Sequence, residues 1–432
     1  MTLDKSNTKK VGFPLSIIIT LCDYLLIIAI VFNANSVYAL GYGKFAASCF
    51  ALAISSGLYF LLGLLLHRDV WQRTTLIVIL LASCTLVIQL LLAAVHSDGS
   101  FSSGIWIQYT VALPLMAGGF ICRGYDIVRR GILVSLTWFG TLIALISLVF
   151  WSLSNFAGLQ ASKTLPMLWA DNGTIYSYYN LYYNVQQMYV GSTLFWRNCG
   201  VFSEPPMYAA FLGIILALNI YIREKENRFC SIIVSITLLT TLSTGSLIYL
   251  AMLWLPKIYQ NTIQKRKTVI RYFWLFLATI IVFFAVIYLT SAINEKISDT
   301  HSGKTHFADL IYGTQIWLDN PFFGHGLNSD DFIWSNYMIF FRAGLGYTSG
   351  ILYLLIHGGI LLGLCAIIPL ILGIAKSRNW QDRYFILFVV FVFIFAVVQT
   401  DAIFIFSLAF CYLITFEKKA KNSIAAMQTG NI

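Results

Sequence analysis

Apolar residues run along this chain in long unbroken blocks, with polar residues gathered in the stretches between them. The blocks occupy residues 14–32, 45–66, 75–95, 105–121, 131–153, 207–222, 229–255, 272–293, 349–375 and 384–416. Most are near the roughly 20 residues that carry a helix across a hydrocarbon core. Backbone groups in lipid must hydrogen-bond within their own segment, so runs of this length predict helices.

The composition agrees with that reading and narrows it. Of 432 residues, 59% are hydrophobic, 16% aromatic and only 11% charged, against about a quarter charged in a soluble domain. A water-soluble fold could not hide so much apolar surface. The formal net charge of +10 suggests a nucleic-acid partner until its distribution is considered. With the N-terminus inside, 22 of the 28 Lys and Arg fall in cytoplasmic segments, and Lys44, Lys163, Arg197, Lys296, Lys304 and Arg342 fall outside. That asymmetry is the positive-inside bias. The basic balance therefore reports topology, with some attraction to anionic lipid, and calls for no nucleic acid.

The same rule doubles two blocks. Arg223, Lys225 and Arg228 precede 229–255, and Lys257, Lys265, Arg266, Lys267 and Arg271 follow it, so both flanks belong in the cytoplasm. An even number of crossings follows, with Leu242-Ser243-Thr244-Gly245 as the tip of a hairpin of two short helices. Block 384–416 is predicted to fold likewise at Gln399-Thr400-Asp401. The expectation is an all-α polytopic protein of a bacterial inner membrane, with about twelve helices and both termini cytoplasmic. The first block follows Lys5, Lys9 and Lys10 as a signal peptide would, but no small-residue cleavage pattern closes it, so it is read as a retained helix.

No repeat or low-complexity linker divides the chain, and residues 1–432 read as one integral membrane domain. Two large loops, 154–206 and 294–348, both face the periplasm. Long loops on one side place chemistry or recognition at that surface. In the second loop, Phe307, Leu310, Ile311, Ile316, Trp317 and Leu318 keep a helical period that stops at Asp319-Asn320-Pro321, which predicts an amphipathic helix at the interface. The first loop carries Tyr176, Tyr178, Tyr179, Tyr182, Tyr183 and Tyr189. Two readings stand for this run: a membrane-interface belt, or a platform on which sugar rings stack.

Two clusters could carry chemistry. Where the first loop returns to the membrane it reads Arg197-Asn198-Cys199-Gly200-Val201-Phe202-Ser203-Glu204-Pro205-Pro206. The prolines suit the first turn of a helix, whose N–H groups lack partners anyway, and this puts Glu204 at the cap with Arg197 above it. A guanidinium there could grip a diphosphate at the lipid surface, and Glu204 could take a proton from a hydroxyl. The plainer alternative is a salt bridge between them that closes the loop. The second cluster is Asn320-Pro321-Phe322-Phe323-Gly324-His325-Gly326, followed by Asp330, Asp331 and Arg342, with Lys304 and His306 upstream. His325, framed by glycines, is a candidate base or phosphate ligand; the alternative is a loop histidine without special role. Asp330-Asp331 lacks the companion ligands of a hard-cation site. Eight cysteines without a CxxC pair predict neither a metal site nor a disulfide. Within the blocks, Asp23, Gln89, His357 and Asp401 need partners or an aqueous pocket. For His357, beside Gly358-Gly359, helix packing is preferred over catalysis.

The pattern Arg197-x-x-Gly200-x-Phe202-x-Glu204-Pro205 at a helix start resembles the Wzy-type O-antigen and capsular polysaccharide polymerases. The Asn320–Gly326 turn, followed by Ser349-Gly350-Ile351-Leu352-Tyr353 and Gly358-Gly359-Ile360-Leu361-Leu362-Gly363, is similar to that family's second outer loop and following helix. Leu242-Ser243-Thr244-Gly245 is similar to its Leu-Ser-Arg-Ser/Thr-Gly hairpin, without the arginine. The likeness covers roughly the C-terminal half. It implies a GT-C-like architecture and a glycosyltransferase that needs neither metal nor cofactor. Its donor and acceptor would be undecaprenyl-diphosphate-linked oligosaccharides, with a flippase and a chain-length regulator as partners. Arg197, Arg342, Lys304, His306, Tyr179 and Tyr183 would bind substrate, and the catalytic base is open between Glu204 and His325. The related O-antigen ligases, which transfer finished glycan to lipid A core, carry a His beside an Asn where this chain has Tyr347-Thr348-Ser349, which favours polymerase. A lipid-linked-oligosaccharide flippase is the alternative from another class.

Overall fold

The computed structural model describes residues 13–33, 35–96, 102–168, 173–260, 301–340, 346–377 and 379–416, with side chains from 16 and 309 onward in the first and fifth segments. The predicted span 272–293 and Arg342 lie outside the described residues.

The chain opens with α1 (Phe13–Val31), α2 (Val37–Leu40), α3 (Phe45–Leu66) and α4 (Trp71–Val95). Next come α5 (Ser103–Trp106), α6 (Leu113–Arg123), α7 (Tyr125–Arg130) and α8 (Ile132–Phe156). Beyond the first loop lie α9 (Pro205–Ala217), α10 (Arg228–Thr240), α11 (Thr244–Ile258), α12 (His301–Asp319) and α13 (Asp330–Asn336). Then α14 (Gly350–Lys376), α15 (Trp380–Phe395) and α16 (Ala402–Phe416) follow. Among the described residues, six helical stretches are long and apolar enough to cross a membrane, and shorter apolar helices join them. The chain is a helical, membrane-embedded protein.

Its side chains sort by what they face. On α4, Leu76, Ile79, Leu80 and Leu90 are each more than half exposed, as residues against lipid must be. On α9 nearly every residue is buried, because that helix runs through the middle of the bundle. Small residues let neighbours approach: a Cβ at Gly119 on α6 would lie 2.4 Å from the Tyr59 ring on α3.

Both predicted hairpins are present. α10 and α11 turn at Thr241 to Ser243, where Leu242 takes φ 49°, and α15 and α16 are separated by residues 396–401. At 1.5 Å per residue these arms are only about 20–24 Å long, shorter than a hydrocarbon core about 30 Å thick. The end they approach also carries the first loop and is called the outer end.

The first loop departs from the all-α expectation. Strands β1 (Lys163–Pro166), β2 (Thr174–Tyr178) and β3 (Tyr182–Asn184) form an antiparallel sheet in the order β1-β2-β3, and β4 (Gln187–Val190) pairs with β5 (Thr193–Trp196) as a hairpin. The loop has its own small core of Ile175, Tyr183, Val185 and Cys199 against Val37.

In the second loop the amphipathic helix is α12, which ends at Asp319 as predicted. Its buried side is Asp309, Gly313 and Ile316, while Leu310, Ile311 and Leu318 are exposed. The small Gly313, which the apolar pattern passed over, makes the close approach to Leu352 and Ile356 of α14.

α14 is broken near its outer end. Gly359 takes φ 60° and ψ −162°, and a Cβ there would meet the Phe322 carbonyl oxygen at 2.2 Å. The 320–326 turn fills the break. The N–H groups of His325 and Gly326 donate to the carbonyls of Ile356 and His357 at 2.8 and 2.9 Å, and the Ile360 N–H donates to Pro321 at 2.8 Å. Groups that a helix interruption would leave bare in lipid are thus satisfied by a second segment.

Candidate functional site

The first cluster forms where the stranded loop meets the α10–α11 tip. The Arg197 N–H closes the β4–β5 hairpin on the Gln186 carbonyl at 3.0 Å, and its Nη1 donates to Gln186 Oε1 at 2.9 Å. Its Nε donates to the Thr241 carbonyl at 3.2 Å. That carbonyl ends α10, where a cation also complements the helix dipole. Burial lowers the guanidinium's pKa, opposed only in part by Cys199 and Glu204 nearby, yet an arginine stays charged in proteins. Asn198 adds a second tie, donating to Thr240 Oγ1 at 2.9 Å and to Ser147 Oγ of α8 at 3.3 Å. Cys199 is fully buried and donates to the Tyr183 carbonyl; burial pushes its thiol up to about 12.

Glu204 takes the N-cap of α9 with extended φ −146°, and Pro205 and Pro206 occupy the first turn as the sequence predicted. It is half-buried. The residue before it ties this corner to the first helices: the Ser203 N–H donates to the Asn35 carbonyl at 2.8 Å. The Asn35 side chain then donates to Asp401 Oδ1 at 2.7 Å and to the Val397 carbonyl at 3.3 Å. Asn35 therefore links the residue before Glu204 to Asp401 and the 396–401 turn.

The second cluster surrounds the break in α14. His357 is fully buried. Its Nδ1 lies 2.9 Å from the Gly326 carbonyl, and its Nε2 lies 2.9 Å from Tyr347 Oη and 3.3 Å from Asp330 Oδ1. The Tyr347 hydroxyl donates to that same Asp330 oxygen at 2.7 Å. Tyr353 covers the imidazole with ring centroids 4.4 Å apart. Burial raises the Asp330 pKa, but the hydrogen bond and charge of His357 and the Tyr347 hydrogen bond outweigh it and hold the carboxyl below its ordinary value. The two clusters share a wall, because the Gly350 N–H that opens α14 donates to the Ala396 carbonyl at 2.9 Å.

The sequence candidates divide accordingly. Arg197 and Glu204 stand at one corner. His325 turns inward: its Nε2 lies 2.8 Å from the Ile316 carbonyl, which can only accept, so that nitrogen carries a proton and fastens the turn to α12. Tyr183 is fully buried against Tyr38, and burial together with Tyr38 and Tyr42 raises its pKa, so it is part of the loop's core rather than a sugar platform. Tyr179 is 67% exposed at the β2–β3 turn with φ 53° and remains available to a ligand. Lys304 and His306 lie on α12, whose backbone alone is described there.

Sequence reasoning ranked His357 as a packing residue and missed its partnership with Tyr347 and Asp330. Asp330 and Tyr347 lie 27 and 10 residues before His357 with no pattern that joins them, and only the threaded turn brings the three together. Asn35 gave no signal. Compared with known proteins, the chain matches no family model and no curated protein.

Proposed function

We propose that this chain is a glycosyltransferase that polymerises undecaprenyl-diphosphate-linked oligosaccharide units at the periplasmic face of a bacterial inner membrane. The observation that carries the reading is that two hairpin turns, at Thr241 to Ser243 and at 396–401, and the break in α14 at Gly359 gather on the outer loops bearing Arg197, Glu204 and Asp330. Irregular backbone at membrane depth is tolerated where protein buries it or a wet recess needs it, and broken helices commonly mark substrate sites. A lipid-linked donor suits such a place. Its tail stays in hydrocarbon while its diphosphate and sugars meet loop residues.

In the reaction an acceptor hydroxyl attacks the donor sugar's anomeric carbon. The bond from that carbon to the diphosphate breaks, the electron pair leaves on the diphosphate, and the hydroxyl proton passes to a base. Glu204 is the base in this reading because it stands close enough to Arg197 to feel its charge, whereas the His325 ring is turned onto the Ile316 carbonyl of α12. Cations aimed at the departing diphosphate stabilise the transition state, a task for Arg197 with the further outer-face cations Arg342, Lys304 and His306. The polar groups inside the bundle favour surface chemistry over transport. Asp23 is bound to Arg123, Gln89 to Thr110, His357 to Tyr347 and Asp401 to Asn35, so each serves as a fixed strut.

The test is polymer formation by the purified chain from a synthetic undecaprenyl-diphosphate-linked unit, read as a ladder on a gel. Glu204→Gln is expected to lower turnover roughly a hundredfold to ten-thousandfold while donor binding persists. Folded wild-type protein that returns the unit unchanged would sink the reading.

A further inference from the structure

At the end opposite the stranded loop, a cavity of about 630 Å³ opens between α7–α8 and the segment joining α9 to α10. Arg129, Arg130, Arg223, Lys225 and Arg228 line it, with Glu224 and Glu226. Both carboxylates are already matched. Arg130 pairs with Glu224 at 3.2 Å, and Lys257, from outside the lining, pairs with Glu226 at 3.0 Å. The cavity therefore keeps an excess of positive charge. Two of its guanidinium groups are held in place by neutral groups. Arg129 donates from Nε to the Ile222 carbonyl at 2.5 Å and lies over the Tyr125 ring, and Arg223 donates to Asn219 Oδ1 at 3.3 Å. Fixed guanidinium groups of this kind suit phosphate oxygens, which they can bind in pairs.

What lies beside the cavity selects among phosphates. Val134 of α8 lines it, and Trp138 and Leu142 continue the same helical face outward, 43% and 51% exposed. On α10, Phe229 follows Arg228 directly, and Ile232 and Ile236 extend the stripe, each at least 45% exposed. The Trp138 and Phe229 rings lie 6.2 Å apart, so the two stripes meet at the cavity's rim. An apolar track leading from a cationic pocket matches a headgroup with acyl chains. We propose that this cavity binds one anionic glycerophospholipid of the adjacent leaflet, phosphate among the guanidinium groups and tails along α8 and α10.

The test uses the full chain purified in detergent and native mass spectrometry with phosphatidylglycerol, phosphatidylcholine or inorganic phosphate. One phosphatidylglycerol per chain is expected to be retained at least tenfold more than phosphatidylcholine, with the preference fading at high salt. Lys225→Gln together with Arg228→Gln, at two exposed positions, should cut that preference about tenfold without moving the melting temperature of lipid-free protein. Equal retention of the two lipids by wild type overturns the proposal. So does an unchanged preference in the double variant. Millimolar inorganic phosphate that displaces phosphatidylglycerol and stabilises the chain equally would assign the cavity to a soluble anion and also overturn it.

Discussion

Two arginines are drawn into this bundle at opposite ends, and they are held in different ways. Arg123 meets Asp23 at 2.6 Å and lies 3.8 Å over the Tyr59 ring, with both charged side chains under 10% exposed. Arg197 is held instead by the Gln186 amide and the Thr241 carbonyl. A guanidinium bonded to a carboxylate has its charge cancelled where it sits and fastens helices. One held by neutral oxygens is fixed in position while keeping a field that an anion can feel. The contrast distinguishes a strut at the end of α6 from a loop arginine proposed to bind an anion.

The largest effect is expected at the strut. Asp23→Ala leaves a buried guanidinium uncompensated and should destabilise the protein by about 3–5 kcal/mol, while Asp23→Leu with Arg123→Met should recover most of that. Thermal unfolding in detergent reads both. A single variant as stable as wild type would remove the distinction between the two arginines. Next comes the outer arginine. Arg197→Ala should reduce polymer formation per folded protein roughly a hundredfold to a thousandfold, a loss separate from the stability, about 1.5–3 kcal/mol, carried by each of its charged hydrogen bonds. Arg197→Lys should rescue poorly, lacking the paired donors. Full polymer from Arg197→Ala would place this residue with the struts.

The smallest effect concerns Asp330. Its pKa is lowered in the folded protein, so its stabilising contribution is complete above its unfolded value, about 3.9, and is lost as pH falls through the lower folded value. Wild type should therefore lose stability below about pH 4 in a way that Asp330→Asn does not. The carboxylate side chain is 42% exposed, so the difference should be modest. Parallel melting curves of the two proteins across pH 3–6 would leave no role for the His357 pairing.

Much of the framework was legible before any coordinates. The hairpin at Leu242-Ser243 followed from basic residues on both flanks of one apolar block, and the proline-capped start of α9 followed from missing N–H groups. Membrane segments are readable because lipid imposes one rule on every residue within them. The stranded loop was not. Its tyrosines were noticed as a dense run, yet along β2 the alternation of exposed and buried positions holds only from Thr174 to Ser177 and breaks at Tyr178, which is buried although it shares a face with the exposed Tyr176. Such short strands carry little periodic signal. The anchoring of His325 was illegible for a related reason. Glycines on either side predicted a tight turn, but not that the turn would face α12.

The sequence by itself determined which segments are apolar helices suited to lipid, because hydropathy acts on each segment separately. Only the tertiary structure decided which polar groups meet. The Asn320–Gly326 turn and the Gly358-Gly359 pair both read as isolated glycine motifs. Each holds unpaired backbone groups that the other satisfies, through His325 on Ile356 and Ile360 on Pro321. Complementarity of that kind is a property of two segments folded together. It is also what carries His357 to Tyr347 and Asp330, and what sets Asn35 between Ser203 and Asp401.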